Sequence, residues 1–295
     1  MRLTTSLAAM TLALSGLLAA PARAEDAASS FRFEFSPNFE ACAGDSSLAN
    51  ALANGITLGI SPSPPYTSLD PATGKAAGLD VEIVEAALDW LGVKKITYEV
   101  APFSSLTPSL LSKRIDMVAA NIHVTPDRLK VISFTGPGWW YGPAITVQSG
   151  NPAGIHSFDD LKKHKVGAIA GSAADEYLRS MAVEVVPFQT DSDQFLSLAQ
   201  GRVDVILEDD VKVATYIAEN KGTGIEMVSG VQIPEDLIFT YGYGYARYGV
   251  RQEDCMLRTA MSQALAEVRG NGKVSAVLHK YGLTGRNLFF FPVSN

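Results

Sequence analysis

Histidine and cysteine are scarce in this chain, four and two residues among 295, and no two histidines stand at metal-ligand spacing. No metal and no cofactor is therefore expected. A glycine-rich phosphate loop and a nucleophile elbow are also missing, so nucleotide-dependent and serine-hydrolase chemistry lack their usual local signatures. Positive charge is in deficit. With a net charge of −7, neither nucleic acid nor an anionic membrane surface suits the chain as a partner. Long uncharged apolar runs are absent except at the N-terminus. There Arg2 precedes the run Leu7 to Leu18, and Ala22-Arg23-Ala24 forms a small-x-small cleavage site before Glu25. The run is too short for a comfortable membrane span and reads as a signal peptide, residues 1–24, cleaved after Ala24. No cysteine stands at the cleavage point, which argues against a lipoprotein anchor. The expected product is a soluble exported chain of roughly 270 residues, periplasmic for a bacterium-like signal, with 47% hydrophobic residues to fill two modest domains.

The two cysteines that remain are Cys42, near the mature N-terminus, and Cys255, near the C-terminus. In an oxidising compartment the pair fits a disulfide. Two separately buried thiols are the alternative. Neither lies in a motif with a base, so no catalytic cysteine is expected.

Residues 25–50 are polar and rich in Ser and Ala, and an irregular arm is expected there. From Ile56 onward, short β-like runs alternate with helical periodicity. Ile56 to Ile60 predicts a strand, ended by Ser61-Pro-Ser-Pro-Pro65. Val81, Ile83, Val84, Ala87, Leu88 and Leu91 predict an amphipathic helix over 80–91, ended by Gly92. Strands are expected over 96–100 and 115–120, with a helix over 106–111 between them. The pattern then restarts, with strands over 165–170, 183–188 and 203–207 and helices between and after them. Two successive α/β units suggest two lobes. Two C-terminal helices, over 253–270 and 272–281, have no sheet of their own and should pack back on an existing lobe.

Open α/β sheets bind ligands outside the carboxyl ends of their strands. Three segments meet that condition. Asn121 to Arg128 brings a guanidinium, whose planar fork fits a carboxylate. Gly171-Ser172-Ala173 brings a helix start whose N–H groups favour an anion. Glu208-Asp209-Asp210 brings carboxylates, of which Asp209 suits an ammonium. Alternation along a strand means that not all three acids should face the ligand. A cation site opposite an anion site describes a zwitterion, most simply an amino acid.

The order and spacing of Gly78-Leu-Asp-Val-Glu82, Leu106-Thr-Pro-Ser-Leu110, Arg114-Ile-Asp-Met117, Val124-Thr-Pro-Asp-Arg128, Val166-Gly-Ala-Ile-Ala-Gly-Ser172 and Gly201-Arg-Val-Asp-Val-Ile-Leu-Glu-Asp209 resemble the family 3 extracellular solute-binding proteins, the periplasmic receptors of polar amino acid ABC transporters. The resemblance runs from about Ile56 to Leu283. It implies the type II two-lobe α/β fold of periplasmic binding proteins, with hinge-crossing strands near Pro143 to Gly150 and near Tyr241 to Ala246. The lobes would be 51–145 plus 246–295, and 146–245. Both cysteines then fall in the first lobe, which favours the disulfide. Position by position, Arg128 matches the arginine that holds the α-carboxylate, Ser172 and Ala173 the pair at the helix start that assists it, and Asp209 the acceptor of the α-amino group. Phe103 matches an aromatic wall. Asn121 and His123 stand where small residues are usual, and His123 brings an imidazole and with it an expected pH dependence. Trp139-Trp140-Tyr141 suits either packing beside the hinge or a cage for an alkylated ammonium.

The function implied is a monomeric, non-enzymatic periplasmic component of an ABC importer. It would carry a polar or cationic amino acid to permease subunits in the inner membrane. Three alternatives accompany it: a binding protein for ectoine or a betaine, a sensor docking on another membrane protein, and a dehydratase resembling cyclohexadienyl dehydratase. In the last, Glu208 or His123 would be the acid, but no paired group that would raise a carboxyl pKa is evident in the sequence.

Overall fold

The computed structural model describes residues 42–70 and 72–288, so the signal peptide and the arm up to residue 41 lie outside the described residues. The rest of the expected arm is not irregular throughout, since Ser47–Asn54 is a helix. Two five-stranded sheets organise the chain. In the first, Ile56–Ile60 lies between Ile96–Val100 and Met117–Val118, parallel to both, with Leu58 level with Tyr98 and Met117. Gly249–Arg251 returns antiparallel between Met117–Val118 and Ile132–Phe134. In the second, Val205–Asp209 runs parallel to Lys165–Ile169, which runs parallel to Glu184–Phe188. Pro143–Gln148 is antiparallel to Val205–Asp209 on one side and to Ile225–Met227 on the other.

Helical periodicity translates directly into packing. Val81, Ile83, Val84, Ala87 and Leu88 of the helix Leu79–Leu91 are fully buried, and Gly92 closes it in a left-handed conformation. The helices Cys255–Gly270 and Lys273–Lys280 pack against this helix, on the side of the first sheet, as their lack of a sheet requires. Cys42 and Cys255 form a disulfide with their Cα atoms 5.4 Å apart.

Three expectations shift. The strand expected over 115–120 is only Met117–Val118. Past it Asn121 takes a left-handed φ of 44° and Ile122 N–H donates to Arg247 O, which turns the chain out of the sheet. The helix expected from Leu106 starts at Phe103. Pro143–Gln148 lies within the second sheet, so the two connections meet earlier. Gly138 N–H donates to Ala246 O, Ala246 N–H to Trp139 O and Tyr141 N–H to Gly244 O. Tyr243 and Gly244 form a turn, with Tyr243 N–H donating to Leu237 O, and Tyr245 then bridges to Trp140.

Candidate functional site

The carboxyl ends of the strands in both sheets open onto one cleft of about 530 Å³, mouth included. From the first sheet come Ser61, Ser63 and Tyr66 after Ile56–Ile60, Asn121 and His123 after Met117–Val118, and Phe103 at its helix start. From the second come Ser172 after Lys165–Ile169, Thr190 and Asp191 after Glu184–Phe188, and Glu208 and Asp209 at the end of Val205–Asp209. Lys212, in the first turn of the helix Asp210–Glu219, completes that wall.

Asp209 is 2% exposed. Its Oδ2 accepts from Asn121 Nδ2 at 3.4 Å, across the cleft, and its Oδ1 has no hydrogen bond of acceptable geometry. Asn121 Oδ1 and His123 Nδ1 are likewise buried without one, and the buried Tyr66 hydroxyl approaches Asp209 without a hydrogen bond of good geometry. Buried polar atoms are almost always paired, so this cluster marks a polar recess built for a further group. Burial holds the Asp209 carboxyl well above its ordinary range, opposed by Lys212 and reinforced by Glu208 and Asp210. Glu208 is also raised, by burial first, with Lys212 opposing. Burial is thus the main cause of both raised carboxyls, with Asp191 adding to it at Glu208 and Glu208 adding to it at Asp209.

Of the three successive acids, Glu208 and Asp209 line the cleft. Asp210 turns away and accepts from Gly142 N–H at 3.0 Å.

His123 Nε2 lies 2.5 Å from the Tyr141 hydroxyl and 3.9 Å from Asp209 Oδ1, with its ring 4.3 Å from that of Tyr243. Burial, then Arg128, Lys212 and Arg247, push its pKa well below 6.5. That direction favours the neutral imidazole and moves any titration of His123 to lower pH than an ordinary histidine. Its contact with Asp209 is therefore not an ion pair.

Arg128 sits in the short helix Pro126–Leu129, whose N-cap Thr125 accepts from Arg128 N–H. The side chain is buried behind the cleft wall rather than lining it. Nη1 donates to His123 O at 2.8 Å, Nη2 donates to Gly171 O at 2.6 Å, and the guanidinium carbon lies 5.4 Å from the centre of the Phe103 ring. Burial lowers its pKa to about 10, so it stays charged. Ser172 caps the helix Ala173–Ser180 by accepting from Asp175 N–H, and Ala173 is fully buried. Gly171 N–H donates to Asp175 and Ser172 N–H to Ile169 O, so two of the three N–H groups expected for an anion serve the turn itself.

Trp139, Trp140 and Tyr141 do not line the cleft. Trp139 Nε1–H donates to the buried Asp80 at 2.8 Å, and Trp140 packs its ring 5.0 Å from that of Tyr245. The aromatic walls of the cleft are Tyr66, Phe103 and Tyr243 instead. Sequence reasoning overlooks Tyr66, Asp191, Lys212 and Tyr243. Of these, Lys212 had a signal, since Glu208 and Lys212 stand at i,i+4 spacing.

Comparison with known proteins agrees with this architecture. An L-arginine-binding protein of Pseudomonas aeruginosa is 29% identical over 77% of this chain and 87% of its own length. The lysine/arginine/ornithine-binding periplasmic protein of Escherichia coli is 28% identical over 74% of this chain and 83% of its own. Among solved structures, an ancestral arginine-binding protein bound to arginine superposes with a TM-score of 0.66, at 28% identity, over 77% of this chain and 97% of its own. EhuB in complex with hydroxyectoine has a TM-score of 0.71 at 22% identity, covers 81% of this chain and 93% of its own, and bears on the fold alone. Residues 56–284 match the family described as bacterial extracellular solute-binding proteins, family 3, and the chain belongs to that family.

Proposed function

We propose that this protein is the periplasmic substrate-binding component of an ABC importer, and that it captures a polar or cationic amino acid between its two sheets. The two sheets act as lobes divided where residues 138–141 pair with residues 244–246. The observation that carries the reading is Asp209, a buried carboxylate with an unpartnered oxygen in the cleft, with the Arg128 guanidinium directly behind the cleft wall. An α-ammonium at Asp209 Oδ1 restores the carboxylate to its ionised form and relieves its burial penalty. A guanidinium carries five N–H donors, two of which go to His123 O and Gly171 O, so others are left for an α-carboxylate. Phe103, already under the guanidinium, supplies the apolar wall.

Because Arg128 and Asn121 belong to one side and Gly171 and Asp209 to the other, a ligand bridging them shifts the opening equilibrium toward closure. The names of the relatives support an amino acid cargo. Export with cleavage after Ala24, action as a monomer and delivery to permease subunits complete the proposal. A thermal-shift screen of amino acids, ectoine and betaines tests it. A ligand at 100 times its dissociation constant stabilises by about 2.7 kcal/mol, and the absence of a shift with every amino acid defeats the reading.

The raised carboxyls of Glu208 and Asp209 favour one second reading, acid-catalysed dehydration on the same scaffold. Turnover of prephenate or arogenate by the purified protein would establish it, and amino acid binding without turnover would end it.

A further inference from the structure

A complete cation site stands beside the proposed α-amino site, and the protein fills it itself. The Lys212 ammonium lies 2.7 Å from Glu208 Oε1, 3.5 Å from Asp191 Oδ1 and 5.7 Å from the centre of the Tyr66 ring. Two carboxylates and an aromatic face are the acceptor set that recognises an ammonium or a guanidinium. The arrangement is built rather than incidental. The side chains of Lys212, Glu208 and Asp191 are all largely buried, at 11%, 6% and 13% exposure. Asp191 is held in place from across the cleft by the Ser63 hydroxyl. Burial alone would lower the Lys212 ammonium, but Asp191, Glu208 and Asp209 together raise it, so it stays charged.

We infer that Lys212 is the specificity-determining residue of this cleft: a built-in cation that occupies the second-cation site and directs the protein to amino acids with a neutral polar side chain rather than to arginine, lysine or ornithine. This deepens the proposed function and rests on it. With Glu208 and Asp191 engaged by Lys212, Asp209 Oδ1 is a buried carboxylate oxygen without a partner, and it can take an ammonium. A second positive group would have to sit against the Lys212 ammonium, where like charges in a low-dielectric recess repel. An anionic side chain fares no better, because two carboxylates already surround the single lysine.

The test is calorimetric titration of the exported protein and two variants with glutamine and arginine as probes. Lys212→Met keeps the length and removes the charge. The double variant Lys212→Met, Glu208→Gln also relieves the buried acid that the single change strands, and guards against a variant that fails to fold. The parent is expected to bind glutamine at least tenfold more tightly than arginine, and either folded variant to gain at least tenfold in arginine affinity. A parent that prefers arginine, or folded variants whose arginine affinity is unchanged, overturns the inference while leaving amino acid binding intact. If the parent shifts with no amino acid at all, the proposed function falls, and this inference with it.

Discussion

Arg128, His123 and Asp80 show how burial sets the state of each charged or titratable group near the cleft. Arg128 keeps its charge but is locked to two carbonyl oxygens, one on each side of the cleft. A charge-assisted hydrogen bond to a ligand carboxylate contributes roughly 1.5–3 kcal/mol. Arg128→Ala should therefore weaken amino acid affinity at least tenfold by calorimetry, while Arg128→Lys, which keeps the charge but loses the fork, should fall between the two. An Arg128→Ala protein that is folded and binds as tightly as the parent would remove the carboxylate anchor. The arginine is legible in the sequence through its Thr-Pro-Asp-Arg setting, because capping and turn chemistry are local. Its enclosure by Gly171 is not, because that carbonyl comes from 43 residues away.

Asp80 is fully buried, with one oxygen accepting from Trp139 Nε1–H and from the Tyr248 hydroxyl and the other without a partner. Burial pushes its pKa up to about 7, against the two hydrogen bonds and Lys212. Between its ordinary value and about 7 the folded state holds a proton that the unfolded state has released. Stability is thus fully present at low pH and declines as pH rises through that window, by roughly 4 kcal/mol in total. Asp80→Asn should abolish that part of the slope. Urea denaturation of parent and variant at pH 4.5, 6 and 8 measures it, and parallel pH profiles would show that Asp80 is ionised in the fold. His123 works in the opposite sense. With its pKa depressed, its contribution is complete above pH 6.5 and is lost only as pH falls below that value.

At the scale of elements, a helix with one buried face was readable through its 3.6 period, and strands buried on both faces through their short continuous apolar runs. The helix Leu79–Leu91 and the strands Ile56–Ile60 and Lys165–Ile169 lie within a residue or two of expectation. The short strands Ile132–Phe134 and Gly249–Arg251 were not readable. Three residues carry no period, and their place in the sheet comes from partners far along the chain. The crossing near Gly244 lies where it was expected, but its pairing is reduced to an isolated antiparallel bridge, Trp140 with Tyr245, rather than a full strand. Gly244 has a φ of 117°, and a Cβ on it would collide with the Trp140 ring. Gly244→Ala should consequently cost more than the usual ~1 kcal/mol of a glycine substitution and lower the melting temperature. It should also disturb closure, because Tyr141 N–H donates to Gly244 O at the crossing. A variant with unchanged melting temperature would mean that Trp140 can swing aside at no cost.

For the whole molecule, the disulfide joins the N-terminal end of the described chain to the start of the helix Cys255–Gly270. Cys42 and Cys255 are 213 residues apart in sequence, so the bond closes a long loop in the unfolded chain. It is not the sole tie between those ends. Asp45 accepts from Met256 N–H at 2.6 Å and Ser47 Oγ accepts from Leu257 N–H at 3.0 Å, so the N-terminal segment caps the helix Cys255–Gly270 across the fold. These N–H groups belong to the first turn of that helix, where an acceptor and a negative charge both stabilise. The helix Cys255–Gly270 in turn packs on Leu79–Leu91, whose first turn carries Asp80. The double variant Cys42→Ser, Cys255→Ser should lose about 2–4 kcal/mol in urea denaturation. Its amino acid affinity should stay within a factor of two or so of the parent, roughly 0.4 kcal/mol, because none of the cleft residues contacts this corner. Parent protein treated with a thiol reductant should match the variant. If affinity fell together with stability, the corner would be coupled to the cleft through the helix Leu79–Leu91 and Asp80, and combining the cysteine variant with Asp80→Asn would then reveal the coupling as non-additive stability.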